Sequence, residues 1–417
     1  MHYEMEQEEH DVYPDDPDFD INKARLVTTA PRICVRYECV PMRFIKHVYR
    51  IHTYAQDGRL FEGKTPVSAF LNSSYDGSFI AGLMELRYIQ SLPVERIINY
   101  FESHGFTLKK PTAHKLIEKA SSLFENLYKC IRQTALSDPY KAADETYYKI
   151  LVPEKNSKGK GVRKGYLWVV VGINTRMIYL LYDDGSRSER VILNELGSCK
   201  GIIQSDGYSP YRKLESDAYP NITRIPCLQH IKRKFIDCGE DEPDAKRIVE
   251  LINTLYQNEH KHKIGVDGWT VEQNLVHRKK YAPDILGEIK DVLDDIEERG
   301  DLLPKSELKE AVTYLRNEWN AVVDIFNYGD TYLDNNIVER MNRYISLSRK
   351  NSLFFGSHKG AERGAILYTI ALTCRMHKVN LFKYLTDVIN RTAEWQPNTP
   401  LEKYRELLPD KWEKENS

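Results

Sequence analysis

TYYKILV at 146–152, GYLWVVVGI at 165–173 and RMIYLLYDD at 176–184 are three consecutive runs rich in β-branched and aromatic residues. Turn signals separate them: NSKGKG at 156–161 and the Asn174-Thr175 step. They read as three successive strands. SERVILNELG at 188–197 then has the pattern of a short helix, and GIIQS at 201–205 that of a fourth strand running directly into Asp206. ITRI at 222–225 reads as a fifth strand, leading into a helix that contains HIKRKF. Asp183 and Asp184 have the character of turn residues.

Upstream, from 65 to 138, the pattern is helical. LPVERIINYFESHGFTLKKPTAHKLIEKAS, 92–121, carries the punctuation of a helix-turn-helix. Pro93 suits a first helical position, Ile97, Ile98 and Phe101 form an apolar stripe, and Gly105 suits the left-handed end of a helix. A second helix near Pro111 would bury Leu116 and Ile117 and leave Lys109, Lys110, His114 and Lys115 for phosphates or base edges. An ordinary helical hairpin has the same pattern, so the two readings stand side by side here.

Downstream, 239–328 turns helical and charged, with DAKRIVELINTLYQ, ILGEIKDVLDDIEER and SELKEAVTYLRNEW as amphipathic stretches. GDTYLDNN at 329–336 reads as a loop before a helix in IVERMNRYISLSRK. Further helices are expected at ERGAILYTIALTCRMH and LFKYLTDVIN.

Three strands, a helix, a fourth strand ending in an acid, a fifth strand and a late acidic helix follow the order of a ribonuclease H-like fold. The expected architecture is therefore α/β. A core at 139–238 and 329–378 is interrupted by a helical insertion at 239–328, preceded by the helix-turn-helix-like domain at 65–138 and followed by a C-terminal helical tail at 379–417. In that order Asp144, Asp206 and Glu339 take the three acidic places. Two Mg²⁺ ions roughly 3.5–4 Å apart need such hard oxygen ligands. Any single acid among 61 is more often a solvated surface charge, and Glu145 is expected on the strand face opposite Asp144.

Composition bounds the partners. A net charge of −1 gives no global sign of a nucleic-acid partner. The first twenty residues, however, hold nine acids and no Lys or Arg, and the rest carries 60 basic against 52 acidic side chains. Residues 1–30 read as an acidic, disordered tail on a mildly basic body. No run approaches the roughly 20 apolar residues of a membrane span, and the start is acidic where a signal peptide is basic, so a cytoplasmic protein is expected. Seven scattered cysteines without a CxxC pair fit neither a disulfide framework nor a complete zinc site.

From about Arg36 to Trp412 the chain resembles the insertion sequence 66 family of bacterial transposases. The most specific stretch is LDNNIVERMNRYISLSRKNSLFFGSHKGAERGAILYTIA, 333–371. ADET at 143–146 and QSDGYSPY at 204–211 resemble the blocks around the family's first two catalytic acids, and PKSELKEAVTYLRNEWN at 304–320 is similar to the segment before the third. The resemblance implies a DDE triad of Asp144, Asp206 and Glu339 holding two Mg²⁺ ions, with Mn²⁺ as an expected substitute. It implies double-stranded DNA as partner, both as terminal inverted repeats and as target. A homo-oligomer on DNA and accessory proteins of the same element are further expectations.

Around Glu339, Arg343 shares its helix face and could pair with it or hold a DNA phosphate, and Arg340 is a further expected DNA contact. Arg349, Lys350, Asn351, Lys359 and Arg363 form a cluster suited to backbone contacts, with structural salt bridges as the competing role. PCLQHIKRKF at 226–235 resembles the family's C-x-x-H block. Two ligands fall short of the four of a structural zinc site, so Cys227 and His230 are read as a structural pair and zinc is not expected. The segment 31–64 resembles the later part of the family's zinc-binding region, yet His52, Thr53, Tyr54 and Ala55 stand where a cysteine pair is expected, and Cys34 and Cys39 have no evident partners. That departure keeps a second reading open, a catalytically silent DNA-binding protein or repressor. A structure-specific nuclease on the same fold is a third.

Overall fold

The computed structural model describes residues 42–48, 50, 52–56, 59–62, 68–70, 73–154, 159, 161–300, 302–396 and 398–415. The acidic start, Cys34 and Cys39 lie outside them. Inside the segment read as a zinc-binding remnant, β1 (Thr53–Gln56) and β2 (Arg59–Glu62) pair antiparallel.

Four helices follow: α1 (Gly77–Tyr88), α2 (Val94–Ser103), α3 (Lys110–Leu123) and α4 (Glu125–Ser137). Pro93 caps α2 from an extended conformation instead of entering its first turn, while Pro111 does lie in the first turn of α3. Gly105 just past α2 has φ 82°, the left-handed value that favours glycine. Ile97 and Phe101 are buried and Ile98 half-buried, as the stripe predicts.

The sheet is mixed. Its strands are β3 (Tyr140–Leu151), β4 (Val162–Gly172), β5 (Ile178–Leu181), β6 (Gly201–Ser205) and β7 (Ile222–Pro226), in the order β5-β4-β3-β6-β7. β4 runs antiparallel to both β3 and β5, whereas β6 and β7 run parallel to β3. α5 (Glu189–Leu196) makes the crossover to β6, and α6 (Ser209–Arg212) follows β6. β3 begins at Tyr140, earlier than the strand pattern after Asp144 suggests, so Asp144 sits mid-strand opposite Val169.

Beyond β7 come α7 (Leu228–Ile236), α8 (Pro243–Glu259), α9 (Val271–Arg299) and α10 (Glu307–Ile325). α9 starts well before the expected helix at 285 and continues through Pro283. Its start is set by a capping box in which Thr270 and Gln273 bond each other's backbone N–H groups. α11 (Asn336–Asn351), β8 (Phe354–Phe355), α12 (His358–Met376), α13 (Leu381–Thr392), α14 (Leu401–Glu406) and α15 (Pro409–Glu415) complete the chain. The short β8, not signalled by the sequence pattern, pairs with the far end of β3.

One cluster of buried side chains joins α1–α4, β3–β5 and α12–α14. A second joins α7–α10 to β6 and β7. The described cysteines are free, with Cys130, Cys199, Cys227 and Cys374 buried and Cys238 half-buried. No helix among the described residues is long and apolar enough to cross a membrane.

The edge strand β5 is closed by threonines. Ile178 N donates to Thr373 Oγ1 (3.2 Å) and Leu180 N to Thr369 Oγ1 (3.0 Å), and Thr373 returns a bond to Ile178 O (3.1 Å). Both threonines are fully buried and one helical turn apart on α12, so the helix satisfies a strand edge that would otherwise present bare N–H groups. Thr369→Val and Thr373→Val keep the shape and remove the acceptor. Each is expected to lower stability by about 1–3 kcal/mol, the cost of a buried unpaired donor, seen as earlier urea unfolding.

Candidate active site

Asp144 lies mid-strand on β3, Asp206 directly follows the neighbouring β6, and Glu339 is on α11, which packs on β3. Asp144 Oδ2 accepts a hydrogen bond from Asn342 Nδ2 (2.6 Å), and its Oδ1 accepts from Glu145 N (2.8 Å). Asn342 lies three residues after Glu339 on α11, so the helix carrying the third acid grips the first acid directly. Asn335, at the cap of α11, donates from Nδ2 to Ala143 O (3.0 Å), fixing the helix start against β3.

Asp206 follows β6 and accepts from Tyr208 N at Oδ1 (3.1 Å). Its backbone is held from behind by Arg224 on β7. The Arg224 side chain donates to Asp206 O (2.9 Å), Ser205 Oγ (3.1 Å), Glu215 (2.5 Å) and Glu318 of α10 (2.5 Å). Arg224 and Glu318 are both buried. Tyr314, one turn before Glu318, accepts Gly207 N at Oη (2.8 Å). A Cβ at position 207 would come within 2.5 Å of that hydroxyl, so QSDG needs its glycine for the approach of α10.

Glu339 approaches α7 instead of its own helix neighbours. His230 Nδ1 lies 3.8 Å from Glu339 Oε1, and among the described residues no ion pair joins Glu339 to Arg343, the partner the helix spacing offers. Cys227, His230 and Glu339 are the one trio of possible metal-binding side chains whose ligand atoms lie within 4.8 Å of one another among the described residues. The three acids of the expected triad are not gathered that tightly.

Electrostatics mark Asp144. Burial pushes its carboxyl up to about 8, with the charges of Glu145 and Asp206 adding to the effect. Burial also raises Glu145, which Arg187 counteracts through an ion pair while Tyr211 Oη lies 3.5 Å away. A divalent cation beside Asp144 would relieve the burial and the neighbouring negative charges that raise it.

Of the other expected contacts, Lys109, Lys115, Arg340, Arg343, Lys350 and Lys359 are exposed. Lys110 pairs with Glu95 (2.5 Å), and exposed His114 is shifted down by desolvation and by Lys110. Arg363 pairs with Glu118 of α3, Asn351 donates to Ser91 O (3.2 Å), and Arg349 donates to Tyr147 O. Those three therefore join elements together. A row of alternating cations and rings was not apparent from the sequence. Arg349 lies 3.9 Å from the Tyr147 ring, Lys164 lies 4.3 and 5.2 Å from Tyr147 and Tyr166, and Arg187 lies 5.1 and 4.1 Å from Tyr166 and Tyr208. Strand register hides it, because Tyr147 and Tyr166 are opposite only in the folded β3–β4 pair.

The family pattern described as "Transposase IS66 family" matches residues 72–363. The chain is similar to three curated relatives from Sinorhizobium fredii, the uncharacterized proteins y4jD, y4hP and y4qI. The first is 26% identical over 346 residues, 80% of this chain and 65% of its own length. The second is 23% identical over 436 residues (95% and 76%), and the third 25% over 384 residues (88% and 69%). The match thus spans just under two thirds of the first relative.

A carboxyl raised by folding favours the folded state at low pH and opposes it as pH climbs from its unfolded value toward 8. Asp144→Asn removes that opposition. The metal-free variant is expected to melt several degrees above the parent chain at pH 8, with a much smaller difference at pH 5. Equal melting temperatures at pH 8 would remove the burial argument.

Proposed function

This chain belongs to the IS66 family of transposases, and from that premise we propose that it cuts the ends of a mobile DNA element and joins the freed 3′-OH to target DNA. Asp144, Asp206 and Glu339 serve as the metal-holding acids. The observation that carries this reading is the contact of Asn342 with Asp144, which brings the helix of Glu339 onto the strand of Asp144 beside Asp206. The strand order, with β4 antiparallel and β6 and β7 parallel to β3, supports a ribonuclease H-like core.

Divalent cations at these acids, Mg²⁺ or Mn²⁺, would supply an activated attacking oxygen and a stabilised leaving oxygen for in-line displacement. The protein's own part is orientation. Asn342 fixes the Asp144 carboxylate, Arg224 and Tyr314 fix the backbone around Asp206, and Arg187 keeps Glu145 neutralised next to the incoming phosphate. The α2–α3 pair, with exposed Lys109, His114 and Lys115, supports recognition of terminal inverted repeats. Exposed Lys164, set over the Tyr147 and Tyr166 rings, supports a contact with a backbone phosphate of bound DNA.

Purified protein with Mn²⁺ should nick DNA that carries the element's own ends, and Glu339→Gln should reduce the rate at least a hundredfold. Equal cutting by both proteins would sink the assignment, and end-specific binding without any cleavage would favour the silent, repressor-like reading. Lys164→Ala should weaken DNA binding for all sequences alike. The slope of log affinity against log salt should become shallower by about one unit, the signature of a lost phosphate contact.

A further inference from the structure

We propose that Cys227, His230 and Glu339 form a binding site for a divalent cation of the zinc class, distinct in its ligands from the Asp144–Asp206 group but sharing Glu339 with the acids. Only the functional consequence rests on the transposase reading.

The site is built by two helix starts stapled together. Cys227 caps α7, and His230 lies in the first turn of that helix. Glu339 lies in the first turn of α11. Between them Leu228 N donates to Leu333 O (2.9 Å) and Asn335 N to Cys227 Sγ (3.2 Å). These bonds hold the sulfur, the imidazole and the carboxylate within 4.8 Å of one another.

Two of the donor atoms are orphans. His230 Nδ1 and Glu339 Oε1 are buried with no hydrogen-bond partner among the described residues, and their 3.8 Å separation is too long for a bond between them. Buried polar atoms left this way are costly, and a cation about 2.0–2.2 Å from each would satisfy both. The Cys227 sulfur already accepts an N–H at the positive end of α7, but burial pushes its thiol up to about 12, so the thiolate would form only as a bound cation displaces the proton. Thiolate and carboxylate together balance a double positive charge. A mixed sulfur, nitrogen and oxygen set selects a zinc-class ion over Mg²⁺, which takes oxygen. The side chains of His230 and Glu339 are 28% and 31% exposed, which leaves an entry route, and the fourth position stays open. The sequence reading lacked the third ligand because it lies on a helix more than a hundred residues away.

Occupancy would take Glu339 from the acid group, so the site is inhibitory. Cobalt tests it, because four-coordinate Co²⁺ bound to thiolate has intense visible bands and a near-ultraviolet charge-transfer band. Titration of the metal-free full-length chain should give these bands, saturating at one ion tied to Cys227, reversed by Zn²⁺, lost in Cys227→Ser and weakened at least tenfold in His230→Gln. Circular dichroism matching the parent shows that each variant folds, and His230→Gln serves alone if Cys227→Ser does not. No saturable band, or a band unchanged in both variants, overturns the site. In cleavage assays Zn²⁺ should inhibit the parent at concentrations at least tenfold below those needed for His230→Gln. A missing cobalt band with Mn²⁺-dependent cleavage intact removes this site and leaves the transposase reading standing. A cobalt band in a chain that cuts no DNA does the reverse.

Discussion

The guanidinium of Arg224 is the joint on which the arrangement of acids depends. It is almost wholly buried, and its donors reach β6, the backbone of Asp206, the turn at Glu215 and helix α10 at Glu318. A buried ion pair of this kind adds little net stability over well-packed apolar side chains, but losing one partner costs about 3–5 kcal/mol. Its effect here is geometric. It makes the position of Asp206 depend on α10, one of the helices after β7.

A second buried guanidinium fixes the loop that leads into α11, the helix of Glu339. Arg278 of α9 pairs with Glu259 of α8 and donates to Thr331 O (2.6 Å), Thr331 Oγ1 (2.7 Å) and Tyr328 O (2.5 Å). Asn274 adds a bond to Gly329 O (2.7 Å). The loop 329–335 is thereby fixed before it delivers Asn335 to Ala143 and Glu339 to the neighbourhood of His230. Two arginines thus link α8–α10 to the backbone at Asp206 and to the loop before α11, while Asp144 is held within the sheet and by Asn342.

The strands were legible because five apolar runs with turn residues between them leave little choice of period, and YDDG was legible as a turn, with Asp184 at φ 48°. The early part of α9 was not, since Pro283 breaks the helical pattern and hides a Thr270–Gln273 capping box that would have marked the start. The acids themselves could be chosen only by position along the chain. The elements that carry them are joined by pairings between residues far apart: Asn342 with Asp144, Arg224 with Glu318, His230 with Glu339. Nothing in local composition distinguishes Glu318 from its solvated neighbours on α10. Arg349 and Arg363 illustrate the converse, as basic residues that look available in sequence yet are turned to Tyr147 and Glu118.

Asp144 shows what the proposed arrangement costs. Burying it beside Glu145 and Asp206 raises its carboxyl to about 8, an arrangement that a folded chain tolerates more easily when cations share the charge. The direct measurement of that account is the number of Mn²⁺ ions bound per chain by electron paramagnetic resonance, with element-end DNA present, in the parent and in Asp206→Asn. The account predicts two ions in the parent and the loss of at least one in the variant. Identical Mn²⁺ stoichiometry and affinity in the two proteins would contradict it.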